Sequence, residues 1–287
     1  MQDLNTKIYY TSSGPVNPNQ SGLFRTTRQM FVELVLSREL IWILFLRDFK
    51  ARYRQSLLGI LWVFLMPVLT VGMFVGMSRT GVLNIQRVGI PYPLYALVGL
   101  TVWSIFSVGL TACANALVNA GGMIVKINFP KVSLIVAAFG QALVEFCIRL
   151  IIIASACIYY GIFPSFTSLC LFLVCLLPTC LITIGLGFLL SLMAGVARDT
   201  LNVLAIVLLA GMLLTPVLYP LEGSSLIAVA NGWNPLNYLV TVPRDVLLMN
   251  YSLHGIGFIW SSIVALIIFY VGWRLFYLAQ SKIAERI

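Results

Sequence analysis

The sequence predicts an all-α integral membrane protein: six transmembrane helices, an N-terminal amphipathic interfacial helix, and a re-entrant outer hairpin before the last helix. Three observations predict it. Hydrophobic residues make up 60% of the chain and charged residues only 9%. Soluble domains carry roughly a quarter charged residues, so a soluble fold would leave far too much apolar surface in water. Charge-poor apolar runs of about 20 residues, the length that crosses a hydrocarbon core, recur along the chain. Lysines and arginines gather beside alternate ends of those runs, as topology signals do.

Residues 1–28 form a polar tail with Pro15 and Pro18 and no apolar signal-peptide core. It is expected to be flexible and cytoplasmic. Residues 29–56 place Phe31, Leu34, Val35, Ile41, Leu44, Phe45 and Phe49 at helical spacings, interrupted by Glu33, Arg38, Glu39, Arg47, Asp48 and Lys50. Such a helix lies in the headgroup layer. A soluble helical segment is the plainer reading, and the adjoining apolar run favours the interface.

The six-helix domain covers 57–280. The first span, about 57–78, is closed by Arg79, and the second falls at about 94–117. The third, about 132–162, is interrupted by Glu145 and Arg149. The fourth, about 167–194, is set off by Gly161, Pro164 and Ser165 within a stretch free of charge. The fifth, about 200–217, is stopped by Pro216 and Pro220, and the sixth covers about 255–278. Between the last two, residues 219–253 contain Pro220, Gly223, Gly232, Pro235 and Pro243 around apolar stretches too short to cross. Two short helices dipping into the outer leaflet, or an ordinary structured outer loop, satisfy this pattern equally.

Arg38, Arg47, Lys50, Arg52 and Arg54 precede the first span, Lys126 and Lys131 follow the second, Arg198 follows the fourth, and Lys282 and Arg286 end the chain. The opposite side has only Arg79, Arg87 and Arg244. Both termini are therefore expected in the cytoplasm, with an even number of spans. The net charge of +9 belongs to this pattern and to anionic headgroups, not to nucleic acid.

Catalytic signatures are missing from the sequence. There is no phosphate-binding G-x-x-x-x-G-K-[ST] loop, no paired-His or paired-carboxylate spacing, and one histidine, His254. The six cysteines lie in apolar stretches without a zinc or redox spacing and read as small hydrophobes. No catalytic residue, metal ligand or cofactor is expected in this chain.

Two features of the spans invite roles. Tyr92, Tyr95, Trp103 and Phe106 recur on one stripe of the second span, with Gly99 among them permitting close approach. A ladder of rings lining a sugar path competes here with an interfacial aromatic belt and ordinary packing. Trp62 in the first span is grouped with the ladder. Glu145 and Arg149 stand four apart, ~20 Å beyond Lys131 at 1.5 Å per residue. Charges at that depth need protein or water, and a mutual structural pair is favoured over a gate.

One stretch is specific. Arg47-Asp48-Phe49-Lys50-Ala51-Arg52-Tyr53-Arg54-Gln55-Ser56-Leu57-Leu58-Gly59, leading to Leu61-Trp62 and Pro67, closely resembles the approach to the first span in ABC-2 type polysaccharide and polyol-phosphate export permeases. The stretch ending Lys126-Ile127-Asn128-Phe129-Pro130-Lys131, then Val196-Ala197-Arg198-Asp199, then Pro216-Val217-Leu218-Tyr219-Pro220 with Asn234-Pro235-Leu236 and Arg244, follow in the family's order. The resemblance covers about residues 30–280. The tail is longer and the loop after the fourth span less basic than the family pattern.

The resemblance implies a transmembrane subunit of an exporter for lipid-linked polysaccharide, O-antigen-like, in the bacterial inner membrane. It works with a second copy of itself and two separate ATPase subunits, which hold ATP and magnesium. Lys126, Asn128, Phe129, Pro130 and Lys131 would receive the ATPase. Arg47, Lys50, Arg52 and Arg54 would meet a lipid diphosphate, although positive-inside anchoring alone accounts for them. Tyr219, Asn234, Pro235 and Arg244 would belong to an outer gate. Capsule and teichoic-acid exporters of the same family are alternatives. A membrane enzyme acting on polyprenyl-linked sugars is disfavoured by the sparse carboxylates and lone histidine, and an ion-coupled transporter by the absence of a visible repeat.

Overall fold

The computed structural model describes residues 9–11, 14–16, 23–53, 59, 61–80, 89–126, 129–218, 231–249 and 254–283. A small antiparallel hairpin, β1 (Tyr9–Thr11) with β2 (Gly14–Val16), precedes a helical body. Its helices are α1 (Leu23–Leu36), α2 (Arg38–Tyr53), α3 (Leu61–Arg79), α4 (Tyr92–Asn119) and α5 (Gly121–Lys126). They continue with α6 (Val132–Tyr160), α7 (Phe166–Cys175), α8 (Leu177–Val196), α9 (Asp199–Leu214), α10 (Pro235–Met249) and α11 (Gly255–Ile283).

The N-terminal segment differs from the sequence reading in three ways, the first being the β1–β2 hairpin inside the stretch expected as the flexible tail of an all-α chain. Helix begins at Leu23, inside the stretch expected as a tail to residue 28, and the single helix expected over 29–56 is two. Ser37 marks the joint. Its Oγ donates to the Glu33 carbonyl at 2.7 Å, the same carbonyl its backbone N–H reaches at 3.0 Å. Such back-bonding bends helices. The bend lets the two halves dock on different partners. From α1, Thr27 meets the Tyr270 hydroxyl at 3.1 Å, Phe31 stands edge-on to Trp273 at 4.8 Å, and Glu33 accepts from Tyr277 at 3.1 Å, all on α11. Burial raises the pKa of Glu33, and the Tyr277 hydrogen bond offsets part of that. From α2, the Phe45 ring lies over Gly140 of α6, where an added Cβ would come within 2.8 Å of it.

The body is organised around α4. Every side chain from Leu94 to Phe106 is buried, so the first half of this helix is enclosed on all sides, as a core helix is. It packs mainly on α6 and α8, with α3, α9 and α10 completing its surround. On its other flank α8 carries α11. There the backbones meet with nothing between: a Cβ on Gly272 would collide with the Gly185 carbonyl oxygen, and one on Gly185 with the Phe269 backbone. Small residues at such crossings let membrane helices approach closely.

Four helical stretches are long and apolar enough to cross a bilayer: Tyr92–Asn119, Val132–Tyr160, Phe166–Val196 and Gly255–Gln280. The chain is a multi-pass membrane protein. The third of these stretches is α7 and α8 together, jointed at Leu176 just before Pro178, a proline in the first turn where its missing N–H costs nothing. The expected first and fifth spans are shorter apolar helices, Leu61–Met77 and Asp199–Leu214. At 1.5 Å per residue each is about 25 Å long, a little short of a hydrocarbon core of about 30 Å. The cysteines are all free, and Cys113 fills the space left by Gly187 of α8.

Candidate functional site

Polar residues from several helices line a cleft of about 800 Å³ where α2 meets α4, α6 and α9. Arg47, Asp48, Ala51 and Arg52 form one wall, and Ser107, Thr111, Asn115 and Asn119 of α4 face them. Gln141 and Leu134 of α6 and Leu208 of α9 close it. The four α4 residues recur every fourth position and so share one face of the helix. Thr111 Oγ1 donates to the Ser107 carbonyl and the Asn115 amide to the Thr111 carbonyl, each at 2.8 Å, which keeps both side chains against their own helix. The cleft thus combines guanidinium forks, which suit phosphate or carboxylate oxygens, with hydroxyl and amide groups between apolar surfaces.

The two arginines are held differently. Arg47 pairs with its neighbour Asp48 at 2.7 Å and points Nη1 at the Met123 sulfur of α5. Arg52 reaches across to α6, with Nη1 at 3.0 Å from Glu145 Oε1 and 3.2 Å from Gln141 Oε1. Glu145 is buried, and its second oxygen lies 3.8 Å from Arg149. The pair expected within α6 is therefore a loose one, and the near partner of Glu145 comes from α2. Lys50 is exposed, and Arg54 lies outside the described residues.

A second cluster joins α4, the end of α9 and α10. Arg244 is buried, with its guanidinium 3.8 Å above the Tyr95 ring, Nη1 donating to the Pro216 carbonyl at 2.9 Å and Nε 3.3 Å from Asp245. A cation over a ring gains from the ring quadrupole, more so when desolvated. Gly99 lies beside this cluster, where a Cβ would collide with the Val217 carbonyl oxygen. The close approach anticipated at Gly99 is made by the corner after α9. Three asparagines fasten the same corner: Asn231 donates to the Leu214 carbonyl at 2.6 Å, Asn234 to Thr215 Oγ1 at 3.3 Å, and Asn237 to the Asn231 carbonyl at 3.1 Å. Pro235 is half-buried at the start of α10, and Tyr219 lies outside the described residues.

The aromatic residues separate into groups. Tyr92 is half-buried, while Tyr95, Trp103 and Phe106 are buried in the protein. Trp103 and Phe106 lie 5.4 Å apart, and Trp103 covers Gly211 of α9. Trp62 stands apart on an open face of α3. Of the loop after α5, Phe129 and Pro130 are half-buried, whereas Asn128 and the Lys126 side chain lie outside the described residues. Lys131 is buried, and its Nζ donates at 2.8 Å to the Gln280 carbonyl in the last turn of α11. Burial lowers its pKa, and the carbonyl end of a helix is a favourable seat for a cation.

Sequence reasoning missed the Ser107–Thr111–Asn115–Asn119 face. Its signal was present: polar residues every fourth position through the second half of an apolar span. It also missed the partner of Arg52, because nothing in periodicity links positions 52 and 145.

Comparison with known proteins agrees with this architecture. The O-antigen export system permease protein RfbA of Myxococcus xanthus is 30% identical over 213 residues, covering 73% of this chain and 80% of that protein. A protein of the same name from Klebsiella pneumoniae is 24% identical over 247 residues, covering 83% of this chain and 91% of its own length. Residues 39–248, which run from α2 through α10 and contain both clusters, match the ABC-2 type transporter family. That match covers most of the chain, and the chain belongs to the ABC-2 type transporter family.

Proposed function

We propose that this chain is the membrane permease of an ATP-driven exporter that carries a lipid-linked, O-antigen-like polysaccharide from the cytoplasm across the bacterial inner membrane. The observation that carries the reading is the cleft between α2 and α4: two arginines opposite a face of hydroxyl and amide groups. That combination suits the junction of a diphosphate with a sugar, the one point every lipid-linked glycan shares whatever its repeat. The names of the similar permeases support the same substrate class.

In this reading α3 and α9 complete six spans, both termini are cytoplasmic, and the cleft opens to the cytoplasm beside the interfacial α2. Of the re-entrant outer element expected over 219–253, α10 is the helix within the described residues, and 219–230 lie outside them. Arg244 and Tyr95 hold the element closed over the path between strokes. Two copies of the chain work with two ATPase subunits that bind ATP and magnesium, and Lys126, Asn128, Phe129 and Pro130 receive them. The open face of α3 supports a second copy, since a Cβ on Gly72 or Gly76, four apart, would meet nothing within 4 Å among the described residues.

Co-expression with the ATPase encoded nearest to it tests the reading. A complex of two permeases and two ATPases whose turnover in lipid responds to lipid-linked glycan is the expected result. A folded chain that gains nothing from any ATPase overturns it.

A further inference from the structure

The carboxylate of Glu145 divides its two oxygens between two cations. Oε1 is 3.0 Å from Arg52, a hydrogen-bonding distance, while Oε2 is 3.8 Å from Arg149, which is too long for one. Arg149 has a buried Nε with no hydrogen-bond partner among the described residues. The cluster therefore holds one cation more than it needs. The two cations are not equivalent. The Arg52 side chain is 44% exposed and lines the cleft with Gln141, whereas that of Arg149 is 14% exposed and does not reach the cleft. Glu145, at 8% exposure, is too buried to be left without a partner. Arg149 is one turn away on the same helix, so closing the remaining gap needs a side-chain rotation and no backbone movement.

We infer that Glu145 and Arg149 form an exchange pair that frees Arg52 for an anionic ligand: Arg149 takes over the carboxylate as Arg52 turns from Glu145 into the cleft. Arg149 is thus a positioning residue for substrate loading, acting through Arg52 without touching the ligand. Gln141, which shares Arg52 Nη1 and lines the cleft, is the acceptor at the midpoint of that turn. The inference rests on the reading of the cleft as an anion site. It explains why a buried carboxylate has both a buried arginine and a cleft-facing one beside it, where a fixed pair would need only one of each.

The test is titration of the full-length protein in nanodiscs with farnesyl diphosphate as the probe, followed by calorimetry. Wild type binds, and Arg52→Gln weakens binding. Arg149→Gln weakens it by about tenfold, because binding then strands the carboxylate. Arg149→Lys lies nearer wild type. The double variant Glu145→Gln, Arg149→Gln, which has no carboxylate to strand, returns to within about twofold of wild type. Equal thermal transitions for wild type, single and double variants separate that recovery from restored folding. Unchanged binding by Arg149→Gln, or a double variant as weak as Arg149→Gln, overturns the exchange alone. A wild type that ignores the probe, or an Arg52→Gln that binds as well, overturns the anion site and the exchange with it.

Discussion

At the scale of single residues, two contacts make sharp predictions. The Val217 carbonyl occupies the position a side chain on Gly99 would need, and Arg244 pins the same corner through Pro216. Gly99→Ala forces backbone apart and is expected to cost about 1–3 kcal/mol, read as an earlier thermal transition in detergent. Gly72→Ala, with open space around it, should leave the isolated chain's transition unchanged. Lys131 is the second case. Its ammonium is seated on the carbonyl end of α11. Lys131→Met should speed amide hydrogen exchange in the final turn of α11, and Lys131→Arg should restore protection. An equal rate in wild type and Lys131→Met would show that the contact holds nothing. These residues also show what could be read from the chain. The need for glycine at position 99 was visible from helical spacing. The burial of Lys131 was not, because its partner is a backbone carbonyl far along the chain, to which side-chain patterns are blind.

At the scale of elements, apolar periodicity and charge gaps found each long helix, because a bilayer enforces length and composition together. They failed where a side chain redirects the backbone, as Ser37 does between α1 and α2. Docking of α1 on α11 has a pH dependence with a definite sign. The folded-state pKa of Glu33 is raised. Its contribution is therefore fully present below the ordinary carboxylate value and is lost as pH rises through the raised one. Exchange protection of α1 should fall over that interval, and Glu33→Gln, which stays neutral, should flatten the profile. The Phe31–Trp273 contact provides an optical probe of the same event.

At the scale of the whole molecule, the first half of α4 is enclosed within the chain, so the second copy proposed above would meet the outer helices. If α3 mates with a second copy through Gly72 and Gly76, Gly72→Leu with Gly76→Leu should convert the purified dimer to monomer by light scattering. The isolated fold should survive, since a Cβ at either position meets nothing within 4 Å among the described residues. A dimer that persists would move the interface to another helix. Family and membrane class were legible from one motif and a hydropathy pattern. The cleft was not, because it is assembled from four stretches that only folding brings together.

The glycine crossing of α8 and α11 bears on how such a machine can move. Side chains between helices act as bearings, letting one element slip a notch past another. At Gly185 and Gly272 there are none, and main chain rests directly on main chain. The two helices are therefore coupled at this crossing: a displacement of α11 there has no side chain to absorb it before it meets α8, which packs in turn on α4.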